Sequence, residues 1–155
     1  ELINLTWLDL EGNHLTEFPA GVRHLSRLIQ LNLRRNNLTE LPSEIGGLES
    51  LTWLDLEGNQ LQTLPPEIGN LTAVTELHLS NNQLTALPSE MGNLVDLVDL
   101  YISNNQLREI PQSMSNLIHL ESFYLSDNLL TDLPTEFSDL LEREILYLAG
   151  NPLDH

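Results

Sequence analysis

The sequence predicts an α/β solenoid, a horseshoe segment with a parallel β-sheet on its concave face and short helical or 3-10 turns on its convex side. Three observations carry this expectation. Asparagine recurs every 23 residues, at Asn13, Asn36, Asn59, Asn82, Asn105, Asn128 and Asn151. Around each the pattern LxxLxLxxNxL returns, as in LTWLDLEGNHL from Leu5 and LTWLDLEGNQL from Leu51. Proline then holds one further position, at Pro19, Pro42, Pro65, Pro88, Pro111 and Pro134. Self-similarity at a fixed period in this range marks units that cannot bury an apolar face alone and must stack to form a continuous core. Repeats starting at residues 5, 28, 51, 74, 97, 120 and 143 keep register along the chain without an insertion, so residues 1–155 are expected to form one domain.

Within a repeat the first element is the strand. The alternation at the fourth to sixth positions of LxxLxLxxN places Leu8 and Leu10 inward and Asp9 outward. Parallel strands of successive repeats then lie about 4.8 Å apart in one sheet. The asparagine falls in the turn that follows, where its amide is expected to satisfy backbone groups left unpaired as the chain leaves the sheet. On the return path proline is expected at the first position of a short helical turn, where its missing N–H costs nothing. Apolar residues three and six places later, such as Ile45 and Leu48, point back into the core. Only about seven residues serve each such turn, too few for a full α-helix.

The pattern LxxLxLxxNxL, followed by LPSEIGGL at Leu41 or LPPEIGNL at Leu64, resembles the leucine-rich-repeat family over essentially the whole chain. It is similar to the 23-residue subclass of Ras-group scaffolds and many bacterial repeat proteins. The resemblance implies a solenoid that binds proteins, as a signalling scaffold or, in a bacterium, in host interaction. The final NPLDH lacks the Cys-rich cap usual in extracellular relatives, so the resemblance favours a cytoplasmic protein.

Composition narrows the function classes. Leucine supplies 37 residues, lysine and cysteine are absent, and 6 Arg against 23 acids leave a formal charge of −17. Such a balance argues against nucleic-acid backbones and anionic membrane surfaces, both of which need clustered cations. Without cysteine there is neither a disulfide framework nor a thiolate metal site. The charge is uneven: residues 1–47 carry −2 and residues 48–155 carry −15. The second stretch should steer basic partners. Glu44, Glu67, Glu90 and Glu136 share a place near the start of the helical turn, where a negative charge suits the helix dipole.

Function is expected where the repeats vary, in columns on the concave face. One column reads Asp9, Asn32, Asp55, His78, Tyr101, Tyr124, Tyr147; beside it run Trp7, Gln30, Trp53, Glu76, Asp99, Ser122, Ile145 and, on the other side, Glu11, Arg34, Glu57, Ser80, Ser103, Ser126, Ala149. Arg34 and Arg35 lie between Glu11 and Glu57, so these charges either neutralise one another across strands or join Trp7 and Trp53 in a binding hot spot. Tyr101, Tyr124 and Tyr147, next to a column of small side chains, either pack on one another or line a groove for a partner. The candidate protein-binding residues are Trp7, Trp53, Asp55, Glu76, His78, Asp99, Tyr101, Tyr124 and Tyr147.

Asp55, Glu76, His78 and Asp99 are a conceivable hard-cation set, and Ser80, His78 and Asp55 a conceivable triad. Neither comes with a ligand loop or a strained nucleophile turn, so no catalytic residue, metal or cofactor is expected. The expectation is a non-enzymatic module for a partner protein with a basic or amphipathic surface. The alternative is a structural spacer that self-associates through its uncapped end, since Glu1 and Leu2 already fit the end of a preceding repeat; an enzyme ranks third. At the other end the last repeat is atypical, with Arg143 where leucine or Val74 begins the other strands.

Overall fold

The computed structural model describes residues 2–153; readings placed on Glu1, Asp154 and His155 lie outside them. Seven strands form one parallel sheet in sequence order: β1 Trp7–Asp9, β2 Gln30–Asn32, β3 Trp53–Asp55, β4 Glu76–His78, β5 Asp99–Tyr101, β6 Ser122–Tyr124 and β7 Leu146–Tyr147. Each strand pairs in register with the next, Leu31 on Leu54, Leu54 on Leu77, so one repeat maps onto another by a shift of 23 residues. The ladder continues past the strands: Leu33 N–H donates to Asp55 O and Arg35 N–H to Glu57 O, both at 2.8 Å.

The inward leucines of the inner repeats are sealed, while Leu8 and Leu10 in the first and Leu146 and Leu148 in the last are half-buried. Leu31, Leu33, Leu54, Leu56, Leu77 and Leu79 are fully buried, and Ile45 and Leu48 close the same core from the convex side. Burying each such side chain contributes about 1.5–3 kcal/mol. Because the layers stack apolar side chains of similar place, mostly leucine with Ile, Val, Met and Phe at some rungs, the core specifies stacking while leaving the outward positions free to vary.

The asparagine amide joins adjacent repeats. Asn105 Nδ2 donates to Leu79 O at 3.0 Å in the preceding repeat and to Ile102 O at 3.1 Å in its own, while its Oδ1 accepts the Leu84 N–H at 3.0 Å. Asn59, Asn82, Asn128 and Asn151 repeat this arrangement. Just before the asparagine the backbone turns left-handed, at Gly12, Arg35, Gly58, Asn81, Asn104, Asp127 and Gly150. Glycine, asparagine and aspartate tolerate that conformation, and Arg35 adopts it at φ 53° against the preference of an L side chain.

Convex turns are 3-10, as at Ser43–Gly47, Pro66–Asn70, Ser89–Asn93 and Gln112–Asn116. The proline does not open the turn as expected but precedes it. Pro42 is extended at φ −75° and ψ 158°, and its carbonyl accepts the Ile45 N–H at 3.1 Å. The turn needs a carbonyl from this place and no N–H, which proline meets while fixing φ. Pro66, in the repeat with two prolines, does hold the first turn position.

Glycine in the turn lets neighbouring repeats close. A Cβ on Gly46 would sit 2.8 Å from the Glu67 carbonyl oxygen, and one on Gly69 would sit 2.5 Å from that of Glu90.

The last repeat departs from the pattern. Leading into it, the 3-10 turn Thr135–Phe137 of the sixth repeat runs on into α1, Ser138–Glu142, and in the last repeat itself Glu144 turns left-handed at φ 56°. Ile145, expected on the open face, is buried instead. With arginine in place of the leucine that begins other repeats, an apolar side chain is missing, and Ile145 turns in to cover the layer below. Arg143 stays at the surface, donating to the Leu120 carbonyl and lying 3.9 Å from Asp139.

Candidate functional site

The in-register sheet sets the outward side chains in straight columns. Pairing of Asp55 with His78, His78 with Tyr101, Tyr101 with Tyr124 and Tyr124 with Tyr147 brings these rings onto neighbouring strands. His78 stacks on Tyr101 with ring centroids 4.4 Å apart and planes 8° from parallel. Tyr101 stacks on Tyr124 at 4.8 Å and 5°, and Tyr124 on Tyr147 at 4.3 Å and 9°. Trp53 meets the open end of this stack, tilted, 5.6 Å from His78. The spacing of parallel strands matches that of stacked rings, so the sheet builds the stack at little conformational cost. Of the two readings for the tyrosines, self-packing is thus present in the structure, and it leaves their edges and hydroxyls to face outward.

Charges frame the stack. Glu76 Oε1 lies 2.7 Å from His78 Nε2. Asp55, beside His78 on the preceding strand, is buried, only 3% exposed, with Oδ1 accepting the Glu57 N–H at 2.8 Å. Burial pushes the Asp55 carboxyl above its ordinary value, outweighing the Glu57 N–H, His78 and Arg34, which pull it down. Burial likewise raises the Tyr101 hydroxyl, helped by the charges of Asp99 and Glu76. Asp55 is buried and His78 and Tyr101 are half-buried, so the centre of the face is partly shielded from water.

Of the predicted residues, Trp53, Asp55, Glu76, His78, Asp99, Tyr101, Tyr124 and Tyr147 fall on five consecutive strands, β3 to β7. Trp7 stands apart on β1, two strands from Trp53 and exposed. The arginines are divided: Arg34 pairs with Glu57 at 3.0 Å and Arg35 with Glu11 at 3.5 Å. That is the neutralised arrangement; the more exposed pair, Arg35 with Glu11, contributes about 0–1 kcal/mol. The small-residue column is half-buried at Ser80, Ser103 and Ser126, with Ser103 N–H donating to Ser80 Oγ. Glu57 and Asn81 were not among the predicted residues, yet Asn81 Nδ2 donates to Glu57 Oε1 at 3.1 Å at the edge of the cluster. The signal for Glu57 was its place in the column beside Asp55.

Family comparison agrees with the repeat pattern. A leucine-rich-repeat model matches residues 3–61 and 96–153, and a two-copy model of the same repeat matches residues 49–93. Among solved structures, a repeat protein of Leptospira interrogans is 39% identical over 91% of this chain, with a TM-score of 0.84. InlP of Listeria monocytogenes is 32% identical over 93%, with a TM-score of 0.77, and an internalin (InlF) of the same organism is 28% identical over 84%, with a TM-score of 0.73. The chain spans only 36%, 39% and 37% of the lengths of these three structures. No curated protein matches the sequence.

Proposed function

The chain belongs to the leucine-rich-repeat family, and from that premise we propose that it is a non-enzymatic module holding a partner protein on its concave face, within a larger scaffold or recognition protein. The observation that carries this reading is the ring stack His78, Tyr101, Tyr124, Tyr147, set by the sheet before any partner arrives. Aromatic side chains already held in place lose little freedom on binding, which is why tyrosine and tryptophan concentrate at interface hot spots. Glu76 and Asp99 border the stack, and the −15 charge of residues 48–155 extends the acidic surroundings, favouring a basic or amphipathic partner surface. Trp53 closes one end as an apolar anchor.

Site-specific photocrosslinking tests the reading. A benzophenone side chain at position 101 or 124 should trap one predominant partner, whereas the same group at Glu44 on the convex turn should not. Equal trapping from both faces would remove the concave face from the account.

A further inference from the structure

We propose that Asp55, Glu57 and His78 form a divalent-metal site on the concave face, suited to a borderline first-row cation of the zinc class. One ligand atom from each lies within 4.8 Å of the others. At metal–ligand distances of about 2.1 Å, tetrahedral ligands stand about 3.4 Å apart, so the three atoms must draw together by up to about 1.4 Å to share an ion.

The hydrogen bonds leave one atom free on each residue. Asp55 commits Oδ1 to the Glu57 N–H, and Glu57 commits Oε1 to both Arg34 and Asn81. His78 commits Nε2 to Glu76. Asp55 Oδ2, Glu57 Oε2 and His78 Nδ1 have no hydrogen-bond partner among the described residues. A second observation points to a cation. The Asp55 side chain is almost wholly buried, yet among the described residues no cationic side chain comes within ion-pair distance of it. A buried carboxylate with no cation in direct contact is costly, and a bound ion would supply that contact.

Chemistry selects the ion. A ligating histidine commonly donates its other ring N–H to a carboxylate, which orients the ring and raises its basicity; Glu76 at 2.7 Å is placed to accept it. One imidazole and two carboxylates suit zinc, cobalt or nickel better than calcium, which takes six to eight oxygens. Three protein ligands leave a further position for water. Arg34, on Glu57, opposes the ion and limits its affinity. Asp55, Glu76, His78 and Asp99 are a conceivable hard-cation set in the sequence, from which no metal is expected; the fold instead brings Glu57 to Asp55 and His78 and places Glu76 to position the histidine.

The site needs no partner to be tested, so its failure would leave the protein-binding reading standing. Calorimetric titration of the purified chain with zinc chloride, in a non-chelating buffer near neutral pH, should show one ion per chain. His78→Ala should weaken that binding by at least about tenfold, Glu76→Gln by about tenfold, and His119→Ala, at an exposed histidine on the convex side, should leave it unchanged. In NMR spectra, substoichiometric cobalt should broaden the His78 ring signals before those of the other histidines. Absence of binding by the wild-type chain, or binding by a folded His78→Ala variant as tight as wild type, would overturn the proposal.

Discussion

The imidazole of His78 lies flat on the phenol ring of Tyr101, with centroids 4.4 Å apart and planes 8° from parallel. Two chain positions 23 residues apart are thus held in contact by the in-register pairing of β4 and β5, and the same rule extends the stack through Tyr124 to Tyr147. A stack supported at each ring by its own strand is a rigid surface.

Loss of an interior ring of the stack, Tyr101 or Tyr124, should be felt on both sides. Tyr124→Ala removes two stacking contacts, each contributing about 0.5–1.5 kcal/mol, so urea denaturation should show a loss of about 1–3 kcal/mol. Tyr124→Phe keeps both contacts and should stay within about 0.5 kcal/mol of wild type.

The asparagine ladder should be strong inside the solenoid and weak at its first rung. Asn105→Ala strands the Leu84 N–H, at about 1–3 kcal/mol, and takes one of two donors from the Leu79 and Ile102 carbonyls, which keep the amides of Asn82 and Asn128. Asn13 is exposed and its side chain donates only to the Glu11 carbonyl, so Asn13→Ala should cost no more than about 1 kcal/mol. Paired chemical denaturation of the two variants checks the contrast.

Neighbouring glycines should respond oppositely. Gly46→Ala drives a Cβ against the Glu67 backbone and should destabilise by about 1–3 kcal/mol. Beside it, Gly47 has open space where its Cβ would be, so Gly47→Ala should be neutral or stabilising by up to about 1 kcal/mol. Melting temperatures of the two single variants separate packing from backbone propensity.

Asp55 should cost the free protein stability at neutral pH. Burial raises its folded-state pKa above the ordinary 3.8, so the native state holds the proton more tightly than the unfolded chain. Stability therefore falls as pH rises from 3.8 through the raised value, and the penalty is complete above it. Asparagine can still accept the Glu57 N–H through Oδ1. With EDTA present, Asp55→Asn should melt higher than wild type at pH 7, with the difference closing as the pH is lowered below 3.8.

Much of this was legible because the repeat makes position equivalent to environment. The buried leucines, the parallel sheet, the role of the asparagines and the ring column all follow from a 23-residue register. What escaped depends on neighbours in space. Asp9 and Asp55 occupy equivalent positions, yet Asp9 is exposed and Asp55 buried, because Asp55 lies among Trp53, Arg34 and His78. Ile145 turned inward because Arg143 removed a core residue next to it, a local exchange that reading by column does not register. The left-handed turn was written in Gly12, Gly58 and Gly150, but Arg35 in the same place obscures it.

In the proposed function the concave ring stack, and not the convex turns, binds the partner. The direct measurement is the equilibrium affinity of the partner trapped at position 101, once purified, for three chains: wild type, Tyr101→Ala with Tyr124→Ala, and Arg23→Ala with Glu44→Ala on the convex side. The account predicts a loss of about 2 kcal/mol or more for the concave pair, roughly thirtyfold in Kd, and an unchanged affinity for the convex pair. Undiminished binding by the folded concave variant, or a loss confined to the convex one, would contradict it.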